Sequence, residues 1–192
     1  MLREFHLADF LTIGNGCCGV GAVFHAMRFI GERDERQIYF AALLVPLAIV
    51  FDFLDGRIAR WRHTHSPMGR ELDSLADVIS FGVAPAAIAF AAGLNTVIDQ
   101  VVLMYFAVCG LSRLARYNVT ADALATSSGA VKHFEGTPIP TSILPLGLLM
   151  LAFHRGGFFP AYLFGMRFHL ADGLFLLSGS LMISKTLRIP KP

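Results

Sequence analysis

Long apolar stretches separated by short charged breaks run along this 192-residue chain. The opening, Met1–Ala8, reads as a short interfacial helix, with no cleavage site behind an apolar core. Six apolar stretches follow and predict helices over about 10–30, 37–62, 69–92, 97–118, 138–154 and 170–187. Most approach the roughly 20 residues a helix needs to cross a bilayer core. The fifth and sixth are short, and Pro140 and Pro145 blur the start of the fifth. Coil or strand facing lipid would leave backbone groups unpaired, so the expected fold is an all-α integral membrane bundle of six transmembrane helices. The glycines of the first helix, Gly14, Gly16, Gly19 and Gly21, suit close packing within or between chains.

Composition agrees with the pattern. The chain is 55% hydrophobic and 16% charged, with a mean hydropathy of +0.59, which excludes an ordinary soluble domain. One membrane domain over residues 1–192 is expected. The net charge of +2 is small and forms no basic patch for nucleic acid. Its distribution is more informative. With six crossings both termini share a side. That side collects Arg3, Arg57, Arg60, Arg62, Arg70, Arg113, Arg116, Lys132, Lys185, Arg188 and Lys191. Arg28, Arg33, Arg36, Arg155 and Arg167 fall on the other. Eleven cations against five predict that the termini and the Asp52–Asp77 stretch are cytoplasmic; the expected location is a prokaryotic cell membrane. Cys17, Cys18 and Cys109 lie in apolar stretches without metal-type spacing and read as free, buried thiols.

The polar residues that break the apolar pattern carry the chemistry. Asp52, Asp55, Asp73 and Asp77 stand between strongly apolar flanks, and a carboxylate in that setting marks a functional site. Asp52 and Asp55 are three apart and Asp73 and Asp77 four apart, so each pair shares a helix face. Pro67 breaks the chain between the pairs, and the two helices can bring all four together. Converging carboxylates repel one another unless cations lie among them, and hard oxygen ligands suit Mg²⁺ or Mn²⁺. Two such ions would clamp a phosphoryl group. Gly56 allows a ligand close to the backbone, Ala59 continues the small surface, and Arg60 adds a fixed positive charge. Arg113 and Arg116, followed by Asn118, put two guanidinium groups on one face. They serve either to bind an anion or to anchor a helix end by snorkelling. His63 and His65 read as loop residues, and His6, His25, His154 and His169 show no ligand-like spacing. His133 precedes the Phe134–Pro140 run and is a weak candidate for the acceptor side. Asp99 and Asp172 read as interfacial carboxylates near the opposite face.

The run Asp52-x2-Asp55-Gly56-x2-Ala59-Arg60-x8-Gly69-x3-Asp73-x3-Asp77 resembles the signature of the CDP-alcohol phosphotransferases at every fixed position. Arg113–Asn118, Phe134–Pro140, Leu11–Gly19 and Ile183–Lys191 are similar to runs of the phosphatidylserine synthase branch, so the likeness covers nearly the whole chain. Departures are Ala8-Asp9-Phe10 where that branch often has Pro-Asn, Tyr117 for Phe, and Thr137 for Leu. The resemblance implies transfer of the phosphatidyl group of CDP-diacylglycerol to the hydroxyl of L-serine, with CMP leaving. It implies two divalent cations, Mg²⁺ or Mn²⁺, bridged by Asp52 and Asp73, with Asp55 and Asp77 completing one shell each. Asp77 would also be the general base. Asp9, Phe10, Gly56, Arg60 and Ser66 would contact CDP-diacylglycerol, and Arg113, Arg116, Asn118 and Lys132 the acceptor. A homodimer among membrane lipids is implied, with the active site at the cytoplasmic boundary. Two other readings stand beside this one. The same chemistry could use a phosphate-bearing acceptor, glycerol 3-phosphate or inositol phosphate. A cation transporter would instead need carboxylates distributed toward both faces.

Overall fold

The computed structural model describes residues 7–62, 67–126, 133–156, 160–163, 166–184, 186 and 188–190. Helix α1, Leu7–Glu32, turns through Arg33 into α2, Glu35–Arg62. Arg33 takes a left-handed φ of 56°, and its N–H caps the Phe29 carbonyl, which closes a two-residue turn. Helix α3, Pro67–Asp77, starts on the proline, whose missing N–H costs nothing in a first turn. One π-helical stretch, Val78–Val83, carries it without a break into α4, Ala84–Ala92. Helix α5 is Val97–Thr126. A 3₁₀ turn, Ile139–Ser142, leads into α6, Ile143–His154, and α7 is Asp172–Ile183.

Among the described residues six helical rods therefore stand where six were expected, with shifted ends. The fourth runs on to Thr126 and the sixth is confined to Asp172–Ile183. The fifth opens as a 3₁₀ turn, with Pro140 in a first turn where its missing N–H is not needed. Among the described residues four rods are long and apolar enough to cross a membrane: Ala8–Glu32, Glu35–Ile58, Met68–Ala92 and Val97–Thr120. The remaining two are shorter apolar helices. The protein is an integral membrane protein. Two antiparallel ribbons were not anticipated. Strand β1, His133–Glu135, pairs with β4, Arg188–Pro190, and β2, Pro160–Leu163, pairs with β3, Met166–His169. Each lies outside the long rods, where pairing satisfies a backbone that no helix accommodates.

The interior is built from small side chains at the helix crossings, among them Ala22, Ala26, Ala41, Ala48, Ala84 and Ala89, with Phe81, Ile88, Phe106 and Phe175 filling the middle. Phe106 and Phe175 meet edge to face at 5.2 Å. Large apolar side chains such as Phe24, Leu43, Met104 and Leu148 point outward instead, as lipid requires. The glycines of α1 pack inside the chain, with Gly14 toward Phe51, Gly16 toward Ala76 and Gly19 against Ser80. Cys18 and Cys109 are buried free thiols, but Cys17 is exposed, because α1 turns that position outward one step before Cys18 turns in.

Candidate active site

Helix α2 ends, and α3 begins, at the same end of the bundle. Oxygens of Asp52, Asp55 and Asp73 there lie within 4.8 Å of one another. Asp77, one turn beyond Asp73, is buried and interacts electrostatically with all three. None of the four forms a salt bridge with a described residue. Arg113 on α5 is buried too, feels the charge of Asp77, and has a guanidinium Nε without a hydrogen-bond partner. A carboxylate trio this tight needs positive charge to hold together. Asp73 Oδ1 is buried with no hydrogen-bond partner, as a ligand atom awaiting a cation would be. The donor set, all carboxylate oxygen, fits a hard divalent ion.

Helix α1 supplies the neutral groups that the carboxylates touch. Thr12 Oγ1 lies 2.7 Å from Asp55 Oδ2 and donates to it, with the Ala8 carbonyl a longer alternative at 3.2 Å. Asn15 Nδ2 donates to Asp77 Oδ1 at 3.0 Å. Ser80 Oγ, in the π-helical stretch, donates to the Asn15 carbonyl at 2.8 Å. This contact exists because Gly19 lets the two backbones close: a Cβ there would stand 2.8 Å from Ser80 Cα. The signal for Thr12 and Asn15 was present in the sequence as two polar residues three apart inside a glycine-rich apolar span.

The other sequence-predicted residues distribute as follows. A Cβ on Gly56 would meet nothing within 4 Å, so the backbone beside the carboxylates is open to a ligand. Asp9 is buried and acts electrostatically on Asp55, while Phe10 is exposed at the same end. Arg60 lies one turn beyond Gly56 on α2, with its side chain outside the described set. Ser66 and Lys132 lie outside the described residues. Arg116 donates to the Ile183 carbonyl at 3.1 Å, at the end of α7. Asn118 Nδ2 donates to Ser74 Oγ at 3.0 Å. These two residues tie α5 to its neighbours beside the site.

At the opposite end the expectation for Asp99 and Asp172 needs correction. Both are buried, Asp99 completely, and His169 joins them. The Thr96 N–H donates to Asp99 Oδ2 at 2.8 Å and the Asp99 N–H to Thr96 Oγ1 at 3.3 Å, a reciprocal cap on α5. His169 Nδ1 sits 2.8 Å from Asp99 Oδ2, and the His169 N–H points to Asp99 Oδ1 and Asp172 Oδ2 at 3.3 Å each. Serving the cap of α5 and the N–H and ring of His169 with one carboxylate draws Asp99 inside. The Thr96-x2-Asp99 spacing announces the cap, but the 70-residue separation hides the histidine. Buried Phe106, on α5 midway between Asp99 and Arg113, lies between this clasp and the carboxylate site.

Comparison with known proteins gives the family. The family model described as CDP-alcohol phosphatidyltransferase matches residues 5–182. A CDP-diacylglycerol–serine O-phosphatidyltransferase of Saccharomyces cerevisiae is 45% identical over 202 residues, covering 100% of this chain and 73% of the relative. The enzyme of the same name from Bacillus subtilis is 34% identical over 146 residues, covering 75% of each. The one from Mycobacterium bovis is 36% identical over 152 residues and 78% of this chain, but that match takes in only 51% of the relative, about half its length. With a whole-chain relative and a model spanning nearly every helix, the chain belongs to the CDP-alcohol phosphatidyltransferase family.

Proposed function

We propose that this protein is a phosphatidylserine synthase: it transfers the phosphatidyl group of CDP-diacylglycerol to the hydroxyl of L-serine and releases CMP. The observation that carries the reading is the convergence of Asp52, Asp55 and Asp73 within 4.8 Å, beside an open Gly56, in a membrane protein 45% identical to a serine-using enzyme. Asp52, Asp55, Asp73 and Asp77 would hold two divalent cations, Mg²⁺ or Mn²⁺, which would neutralise the pyrophosphate and the charge that builds on it. Gly56, Arg60, Asp9, Phe10 and Ser66 receive the nucleotide part of the lipid. Asp77 takes the proton of the serine hydroxyl as that oxygen attacks the lipid-side phosphorus. The new P–O bond forms while the bond to the bridging oxygen breaks, and CMP departs. Arg113, buried with an unpartnered Nε near Asp77, is well suited to the serine carboxylate, and Arg116, Asn118 and Lys132 support that side.

The chain works as one six-helix domain and as a homodimer in the membrane. Its site faces the cytoplasm of a prokaryotic cell, in accord with the eleven cations that the sequence pattern assigns to that side. The lipid tails stay between outward-facing apolar side chains while CDP and serine meet at the boundary.

The test is CMP release by purified protein given CDP-diacylglycerol and Mn²⁺ or Mg²⁺, with L-serine, glycerol 3-phosphate or inositol phosphate supplied separately. Release that needs serine and is lost with chelator is expected. Release with a phosphate-bearing acceptor instead would overturn the assignment of Arg113 to the serine carboxylate.

A further inference from the structure

The carboxylates are divided by their neighbours. Asp55 and Asp77 each accept a hydrogen bond from a neutral side chain, and both donors come from one helix, α1. Thr12 and Asn15 are three residues apart, so they stack about one turn apart on a single face. That face therefore reaches one carboxylate of α2 and one of α3. Asn15 is fully buried, and its Oδ1 has no hydrogen-bond partner. A helix interior holds such a half-satisfied amide only at a cost, and the Nδ2 contact to Asp77 is what the residue supplies in return. Its position is itself fixed. The Ser80 hydroxyl grips its carbonyl, and Gly19 lets the two backbones approach.

We infer that Thr12 and Asn15 are positioning residues of the carboxylate site: Thr12 fixes Asp55, and Asn15 fixes Asp77 with Oδ1 engaged so that Oδ2 is the oxygen left for chemistry. The inference rests on the metal-dependent reading above. A carboxylate on a helix turns about two side-chain bonds, and an unbraced one spreads its oxygens over several positions. Partners that orient a ligand are commonly worth 10–100-fold in metal affinity or activity. A brace acts on this site in two separable ways. Metal affinity registers both braces, because Asp55 and Asp77 are each a ligand. Turnover at saturating metal registers Asn15 more, because Asp77 also takes the proton.

The experiment uses the full chain in detergent micelles, with four variants: Thr12→Val, Thr12→Ser, Asn15→Leu and Asn15→Ala. Free Mn²⁺ is followed by electron paramagnetic resonance during titration without substrate. CMP release gives kcat and KM, with whichever acceptor supports it in the parent. The unfolding midpoint is taken in chelator, where no ion contributes. Thr12→Val and both Asn15 variants should weaken Mn²⁺ binding about 10-fold or more, and Thr12→Ser should restore it to within about threefold of the parent. At saturating Mn²⁺ the Asn15 variants should lose about 10–100-fold in kcat, with KM for CDP-diacylglycerol within about threefold. The midpoints in chelator should match the parent. Mn²⁺ affinity and kcat within about threefold of the parent in Thr12→Val and Asn15→Leu would overturn the inference. So would a Thr12→Ser variant as impaired as Thr12→Val, with both midpoints lowered, since that marks packing alone. A parent that binds Mn²⁺ but ignores serine sinks only the acceptor assignment, and the titration still judges the braces. A parent that binds no Mn²⁺ overturns both.

Discussion

Gly19→Ala tests whether the close approach of α1 to the π-helical stretch sets the site. The added methyl would stand 2.5 Å from Ser80 Oγ, 2.8 Å from its Cα and 2.9 Å from its N. Carbon pairs settle at about 3.5–4.0 Å, so the backbones must separate by most of an ångström. Overpacking of this kind costs about 1–3 kcal/mol. Loss of the Ser80 bond to the Asn15 carbonyl adds about 1 kcal/mol. Replacing a helical glycine by alanine returns about 1 kcal/mol, so the net loss is about 1–3 kcal/mol. Gly16→Ala is the matched control. Its methyl would lie 3.6 Å from Ala76 Cβ, an ordinary contact, and it keeps the helix gain of about 1 kcal/mol. The two variants should therefore differ by about 2–4 kcal/mol in an SDS-titration unfolding assay in mixed micelles. Turnover carries a second reading. A shift of about 1 Å at a reacting group can cost about 10²-fold, so Gly19→Ala should lose much of its kcat through Asp77 while Gly16→Ala keeps its own. Equal unfolding midpoints and equal kcat in the two variants would refute the argument.

Three further outcomes can be checked. Gly56→Leu has open space to fill, so the unfolding midpoint should hold while CDP binding, followed by titration calorimetry, is lost; unchanged affinity would put the nucleotide elsewhere. Asp77→Asn should abolish CMP release yet leave CDP-diacylglycerol binding measurable, and near-normal turnover would reject Asp77 as the base. Asp99→Ala strips the partner from buried His169 and from the Thr96 N–H, and should destabilise by about 3 kcal/mol. Because it lies at the far end, the folded fraction of that variant should turn over normally, which activity normalised to a folded-state probe would verify.

Much of this was legible in the residue pattern because membranes constrain so strongly. Apolar length alone located six rods, and the Asp52–Asp77 spacing put four carboxylates on two helix faces that the fold then joined. The shortfalls have physical causes. The π-helical stretch after Asp77 places Ser80 against Gly19, a contact between residues 61 positions apart that no local propensity encodes. The union of Asp99 with His169 is equally non-local. The short ribbons follow from what the helices leave unpaired rather than from any alternation of their own. Thr12 and Asn15 passed as part of a run of likeness, although their polarity in an apolar span was the clue.

The carboxylates and their α1 partners all lie within residues 12–77, whereas the far-end clasp joins residues 96–99 to 169–172. Chains are made from the N-terminus, so biosynthesis finishes the two ends of the molecule at different times. The carboxylates are synthesised before α5 begins at Val97, so α1, α2 and α3 can gather them before α5 is threaded into the bilayer. The clasp cannot close until α7 arrives. The carboxylate end therefore draws on one contiguous early stretch of chain, whereas the far end is joined only when α7 meets α5.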